Sequence, residues 1–144
     1  MSMTTRNLWP EDIAVSEDVP PVSILKEQGA LLRGRTNELV EGQVRGTPSD
    51  YGRKYRYAFE LVAPALDGYR YELFSITHGA EAYPLEIDWD SPDSHNLLAV
   101  AGEDGIQNEE GFLKALEIIF SSEKTRKVIA SLNAQSRAMT EENP

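Results

Sequence analysis

Apolar and polar positions alternate most regularly between Arg53 and His78, in the run RKYRYAFELVAPALDGYRYELFSITH. Two stretches rich in aromatic and β-branched residues flank Ala63-Pro64-Ala65-Leu66-Asp67-Gly68. A period of two, broken by Pro, Asp and Gly, predicts a β-hairpin. Charge suggests its register. If Glu60 opposes Arg70, then Leu61 faces Tyr69, Phe59 faces Tyr71, Tyr57 faces Leu73 and Tyr55 faces Ser75. Sliding by two residues would put Glu60 against Glu72, and directly opposed like charges are unfavourable. The expected hairpin buries its Tyr55–Tyr57–Phe59–Leu61 side and leaves a mixed face open.

Other elements follow from the same kind of pattern. Val22 to Arg35 has Ile24, Leu25, Leu31 and Leu32 on one helical stripe, with Pro21 suited to the first turn and Gly34 to the stop. Gly29 inside that run costs about 1 kcal/mol against alanine, which points to close packing. Asn37 to Arg45 reads as a strand, Gly46 to Gly52 as a loop rich in turn formers, and Tyr83 to Trp89 as a further strand. Leu97 to Ala101 is either a short buried strand or an apolar clamp in a loop. Asn108 is a good N-cap, followed by Glu109 and Glu110 in the favourable first turn. Phe112, Leu113, Leu116, Ile119 and Phe120 form one face of a second helix. Ser121-Ser122 breaks it and caps a third, in which Val128, Ile129 and Leu132 share a face. Lys124, Arg126 and Lys127 crowd the start of that helix, where the dipole disfavours positive charge. That placement suggests an anionic neighbour, such as the acidic segment of this same chain.

Grouped strands between helices predict an α+β fold. The sheet is mostly antiparallel, with about four strands built on the central hairpin, and the N-terminal helix and two C-terminal helices pack on one face. Residues 1–20 read as a partly disordered arm in which Leu8-Trp9 and Ile13-Val15 are the apolar exceptions. Residues 21–138 form the single domain, and 139–144 a frayed tail. A tryptophan in such an arm usually pins it to the body, with docking into a partner as the alternative.

Charge changes the picture. The 144 residues carry a net charge of −10, and residues 81–120 hold ten acids against Lys114 alone. Such a segment repels nucleic acid and anionic membrane and attracts cations or a basic protein surface. There is no cysteine, so disulfides and thiolate chemistry are excluded. No apolar run approaches the roughly 18–20 residues of a membrane span, and the N-terminus lacks a signal-peptide core, so a soluble cytoplasmic protein is expected.

Candidate chemistry is sparse. Gly29-Ala-Leu-Leu-Arg-Gly34-Arg35-Thr36 nearly matches a phosphate-binding loop, but a helix precedes it and a strand follows, the reverse of what that loop needs. Arg53, Lys54 and Arg56 interleave with Tyr51, Tyr55 and Tyr57, yet the acidic total opposes nucleic acid. With His78 and His95 as the two histidines and no G-x-S-x-G pattern, no hydrolase triad is indicated. The sharpest cluster is Asp88, Asp90, Asp93 and His95, whose oxygen and imidazole donors suit a divalent cation in type, though not in spacing. Glu103 and Asp104 could join it.

Two functional expectations follow. The first is a small, non-catalytic protein-binding module of the immunity, antitoxin or accessory-subunit type, with no cofactor. It would meet a basic protein partner through Asp88, Trp89, Asp90, Asp93, Glu103 and Asp104. The second is a divalent-metal-dependent hydrolase or ligand-binding domain using Asp88, Asp90, Asp93 and His95. Self-association as a homodimer through the hairpin's mixed face is a third option.

Overall fold

Pro20 and Pro21 fix the extended-to-helical transition that starts the first helix, α1 (Pro21–Arg35). The computed structural model describes residues 6–14, 16–49 and 52–141, with the side chains of 48 and 49 excepted. After α1 come β1 (Glu41–Ser49), β2 (Lys54–Ala63), β3 (Tyr69–His78) and β4 (Leu85–Asp88). A short helix α2 (Leu98–Ala101) precedes α3 (Glu109–Ser121) and α4 (Glu123–Thr140). The strands form one antiparallel sheet in the order β1-β2-β3-β4. The fold is α+β, and none of its described helices is long and apolar enough to cross a membrane.

The central hairpin is present, but its register is not the one that charge suggests. Leu61 pairs with Tyr71 and Ala63 with Tyr69, so Glu60 stands opposite Glu72. An irregularity then leaves Leu73 without a partner, and Phe59 pairs with Phe74, Tyr57 with Ile76 and Tyr55 with His78. The like charges are tolerated because each has its own guanidinium. Glu60 lies 3.1 Å from both Arg45 and Arg70, and Glu72 lies 3.1 Å from Arg56. The gain is in the core. Phe59 and Phe74 stack at 5.3 Å, and Phe120 of α3 closes on both. Burying one such ring is worth about 1.5–3 kcal/mol, more than the roughly 0.2–1 kcal/mol of a cross-strand charge pair.

Phe59, Leu61, Ala63, Phe74 and Ile76 therefore face the helices and form the core with Leu25, Phe112, Leu116 and Ile119. Tyr57 is half-buried, and Tyr55, further out on the same face, is 48% exposed where the helices no longer reach. Ala58 and Val62 point the other way. They are buried but belong to no part of the helix-packed core, and the stems of Arg45 and Arg70, their cross-strand neighbours, lie over that face.

Other boundaries depart from the expected ones for local reasons. Gly34 does not stop α1. The chain turns at Asn37 and Glu38, both with positive φ, and Thr36 ties the turn by bonding the Val40 amide and carbonyl. That delays β1 to Glu41 and carries it past Gly46 to Ser49. Leu97–Ala101 is neither strand nor loop clamp. Ser94–Leu97 forms a 3-10 turn that runs into α2, with Leu97 buried and Leu98 64% exposed. The start of α3 is as read, with Asn108 Oδ1 accepting the Gly111 amide at 2.9 Å. Ser122 separates α3 from α4 and caps the latter through the Thr125 amide. α4 continues through Met139 to Thr140, and residues 142–144 lie outside the described residues.

Candidate functional site

The carboxylates gather around β4 and the turn that covers its outer edge. Leu85 and Ile106 exchange two backbone hydrogen bonds, 2.9 and 2.8 Å long. This short bridge draws Glu103 and Asp104 alongside Glu86 and Asp88. It requires glycine at 105, where φ is +83° and an added Cβ would sit 2.8 Å from the Leu85 carbonyl oxygen.

Three clefts open on this side. The widest, about 940 Å³, lies between the root of the N-terminal arm, the approach to β4 and the start of α3. Glu17, Asp18, Glu81, Glu109 and Glu110 line it with Tyr83, and none of its described lining residues is basic. Tyr83 has its hydroxyl buried with no hydrogen-bond partner among the described residues. Burial raises its phenol pKa above the ordinary value, and the charges of Glu109 and Asp18 add to that. The phenol therefore stays a neutral donor beside a cluster of anions. A second cleft of about 440 Å³ is lined by Glu86, Asp88, Trp89 and Glu103. A third, about 530 Å³, contains His78, Glu81, Glu86 and Asp104, with Lys54 as the one lysine or arginine among its described lining residues.

The residues expected to meet a partner are thus divided. Asp88, Trp89 and Glu103 share the second cleft, and Asp104 lies in the third. Trp89 is only 5% exposed and belongs to the core, so its ring anchors the chain after β4. Asp90 is exposed, and its main-chain carbonyl accepts a hydrogen bond from Lys124 of α4. The basic start of α4 does therefore meet the acidic segment, through a backbone oxygen, while Lys127 pairs with Glu123 at 3.0 Å. Asp93 is half-buried and its amide bonds Ser91 Oγ.

The cation set does not assemble. His95 is exposed and its Nδ1 donates to the Pro92 carbonyl at 3.0 Å. Among the described residues no three His, Asp or Glu side chains are placed to hold a metal ion. The ligands Asp88, Asp90, Asp93 and His95 follow one another along an extended turn rather than converging, so the spacing fails as geometry too. The near phosphate-binding motif fails likewise, since Gly29 and Gly34 both lie inside α1.

The sequence alone assigns no binding role to Glu17, Asp18, Glu81, Tyr83, Glu109 or Glu110. Glu81, Glu109 and Glu110 were legible in the charge excess of residues 81–120. Glu17 and Asp18 were not, because only the fold brings the arm's root to the start of α3.

No protein-family model, curated protein or solved structure matches the chain.

Proposed function

We propose that this protein is a non-catalytic binding module, of the immunity, antitoxin or accessory-subunit type, that receives a basic segment of a partner protein. The supporting observation is the widest cleft. Five carboxylates from three separated stretches of chain line it, with no lysine or arginine among its described lining residues. Carboxylates that could spread over the surface repel one another when gathered, and a cationic side chain inserted between them relieves that repulsion. Tyr83 adds an aromatic ring to the lining in the same place. The flanking clefts with Asp88, Glu103 and Asp104 extend the acidic surface along β4.

The test is a titration with a labelled oligolysine peptide, followed by fluorescence anisotropy at rising salt. The triple variant Glu81→Gln/Glu109→Gln/Glu110→Gln is expected to weaken binding by about tenfold or more. A control triple of equal charge change, Glu27→Gln/Glu117→Gln/Glu141→Gln, should change it by roughly twofold or less. Equal losses in the two triples would mean that net charge alone attracts the peptide, and the proposed site would be lost.

A further inference from the structure

The helical layer is split. α4 lies against β2 and Phe120 of α3 packs on Phe59 and Phe74, while α1 lies mainly against β1. Among the described residues, the one side-chain hydrogen bond spanning the gap runs from Asn133 Nδ2 to the Thr36 carbonyl, just past the end of α1. The gap is an apolar groove of about 510 Å³, a size usual for sites that take up large apolar groups. Phe59 and Leu61 form its floor, Leu31, Phe120 and Ile129 its sides, and Arg35 stands at its mouth. Leu31 is 58% exposed there, and Arg35 has no ion-pair partner among the described residues.

The same chain carries apolar surface with nowhere to go. In the N-terminal arm Leu8 is 84%, Trp9 73% and Ile13 61% exposed. They are not splayed at random. The Ile13 amide bonds the Pro10 carbonyl and the Trp9 amide bonds Asn7 Oδ1, so this stretch is a formed turn. Its polar residues are Glu11 and Asp12, opposite in sign to Arg35. The arm's root lies along the acidic cleft beside Tyr83 and Glu109, at the start of α1. The groove opens beside Gln28–Arg35, roughly 10–20 Å further along the helix at 1.5 Å per residue.

We propose that the Leu8–Ile13 turn of one copy docks into this groove of a second copy. Trp9 would lie against Leu31, Phe120 and Ile129, with Glu11 and Asp12 against Arg35. The single chain leaves the groove's rim at Leu31 and Arg35 and the arm's Leu8, Trp9 and Ile13 exposed, and a reciprocal exchange between two copies covers both under one two-fold axis. The inference is independent of the acidic cleft's partner. The contact is small, so it places the dimer in the weak, reversible class.

Sedimentation velocity over roughly 1–500 µM, the range suited to a weak interface, tests it on the full chain. Acrylamide quenching of Trp9 is followed in parallel, read as the difference between wild type and Trp9→Ala. The expected result is a mass that rises towards twice the monomer, with Trp9 becoming several-fold less quenchable over the same range. Trp9→Ala and Leu31→Glu should each raise the dissociation constant at least tenfold. A mixture of Glu11→Lys/Asp12→Lys with Arg35→Glu should form a heterodimer that neither forms alone. The proposal is overturned by a monomer at every concentration, by a dimer indifferent to Trp9→Ala, or by a Trp9 already shielded in the monomer.

Discussion

Gly29 of α1 and Gly42 of β1 meet backbone to backbone. A Cβ on Gly42 would lie 2.7 Å from the Gly29 Cα, and one on Gly29 would overlap the Gly42 carbonyl. The contact seats α1 against the sheet, so a residue that looks like a defect in the helix is the condition for its docking.

Two alanine substitutions in the same helix should therefore act with opposite sign. Gly29→Ala gains helix propensity but must push strand and helix apart, and a net loss of about 1–3 kcal/mol is expected. Gly34→Ala meets nothing within 4 Å and should stabilise by about 0.5 kcal/mol. Urea unfolding midpoints measure both, and two shifts in the same direction would refute the contact.

Tyr83 makes stability depend on alkaline pH. Its pKa is raised in the folded state, first by burial and then by Glu109 and Asp18. Above about pH 10, the ordinary tyrosine value, the unfolded chain loses this proton while the folded chain keeps it. Stability is thus full below that pH and falls as pH rises towards the folded value. Tyr83→Phe should remove this part of the alkaline slope without loss at neutral pH, since the buried hydroxyl has no hydrogen-bond partner among the described residues. Glu109→Gln should move the phenol back towards its ordinary range, as seen by absorbance titration.

The hinge between α3 and α4 rests on Ser122. Its hydroxyl caps α4 through the Thr125 amide and also meets the Ile119 carbonyl and Thr125 Oγ1, all buried. Ser122→Ala is expected to cost about 1–2 kcal/mol. Asn108→Ala, an exposed cap of α3, should cost nearer 1 kcal/mol or less. Thermal or urea denaturation of the two variants ranks them.

Glu60 and Glu72 face each other across the hairpin but should respond differently. Glu60 is 7% exposed and shared by two arginines, whereas Glu72 is exposed and has one. Glu60→Gln is expected to destabilise by about 1–2 kcal/mol, and Glu72→Gln by less than about 0.5 kcal/mol. Urea titrations at low and high salt check both, the second loss shrinking further as salt rises.

The hairpin, the helix caps and the α+β order were legible because each rests on neighbours in sequence. The hairpin's register was not, because Arg45 comes from β1. A two-strand argument gave Glu60 only one partner and so rejected the pairing that occurs. The LLAVA run reads as a strand or a loop clamp because five apolar residues carry no period, and the helical turn it forms, ended by Gly102 at positive φ, is not among those readings. The acidic segment was visible as composition. Its shape as a cleft was not, since Asp18 and Glu109 are far apart along the chain.

The Glu60 carboxylate has a consequence for how the sheet can move. Its one Oε1 atom takes Arg45 from the strand on one side and Arg70 from the strand on the other. Slippage of either flanking strand, β1 or β3, by a single residue would turn that arginine to the opposite face. Three strands are thereby pinned at one point, and the sheet yields, if at all, at its far ends, where Tyr55 and the β4 carboxylates lie.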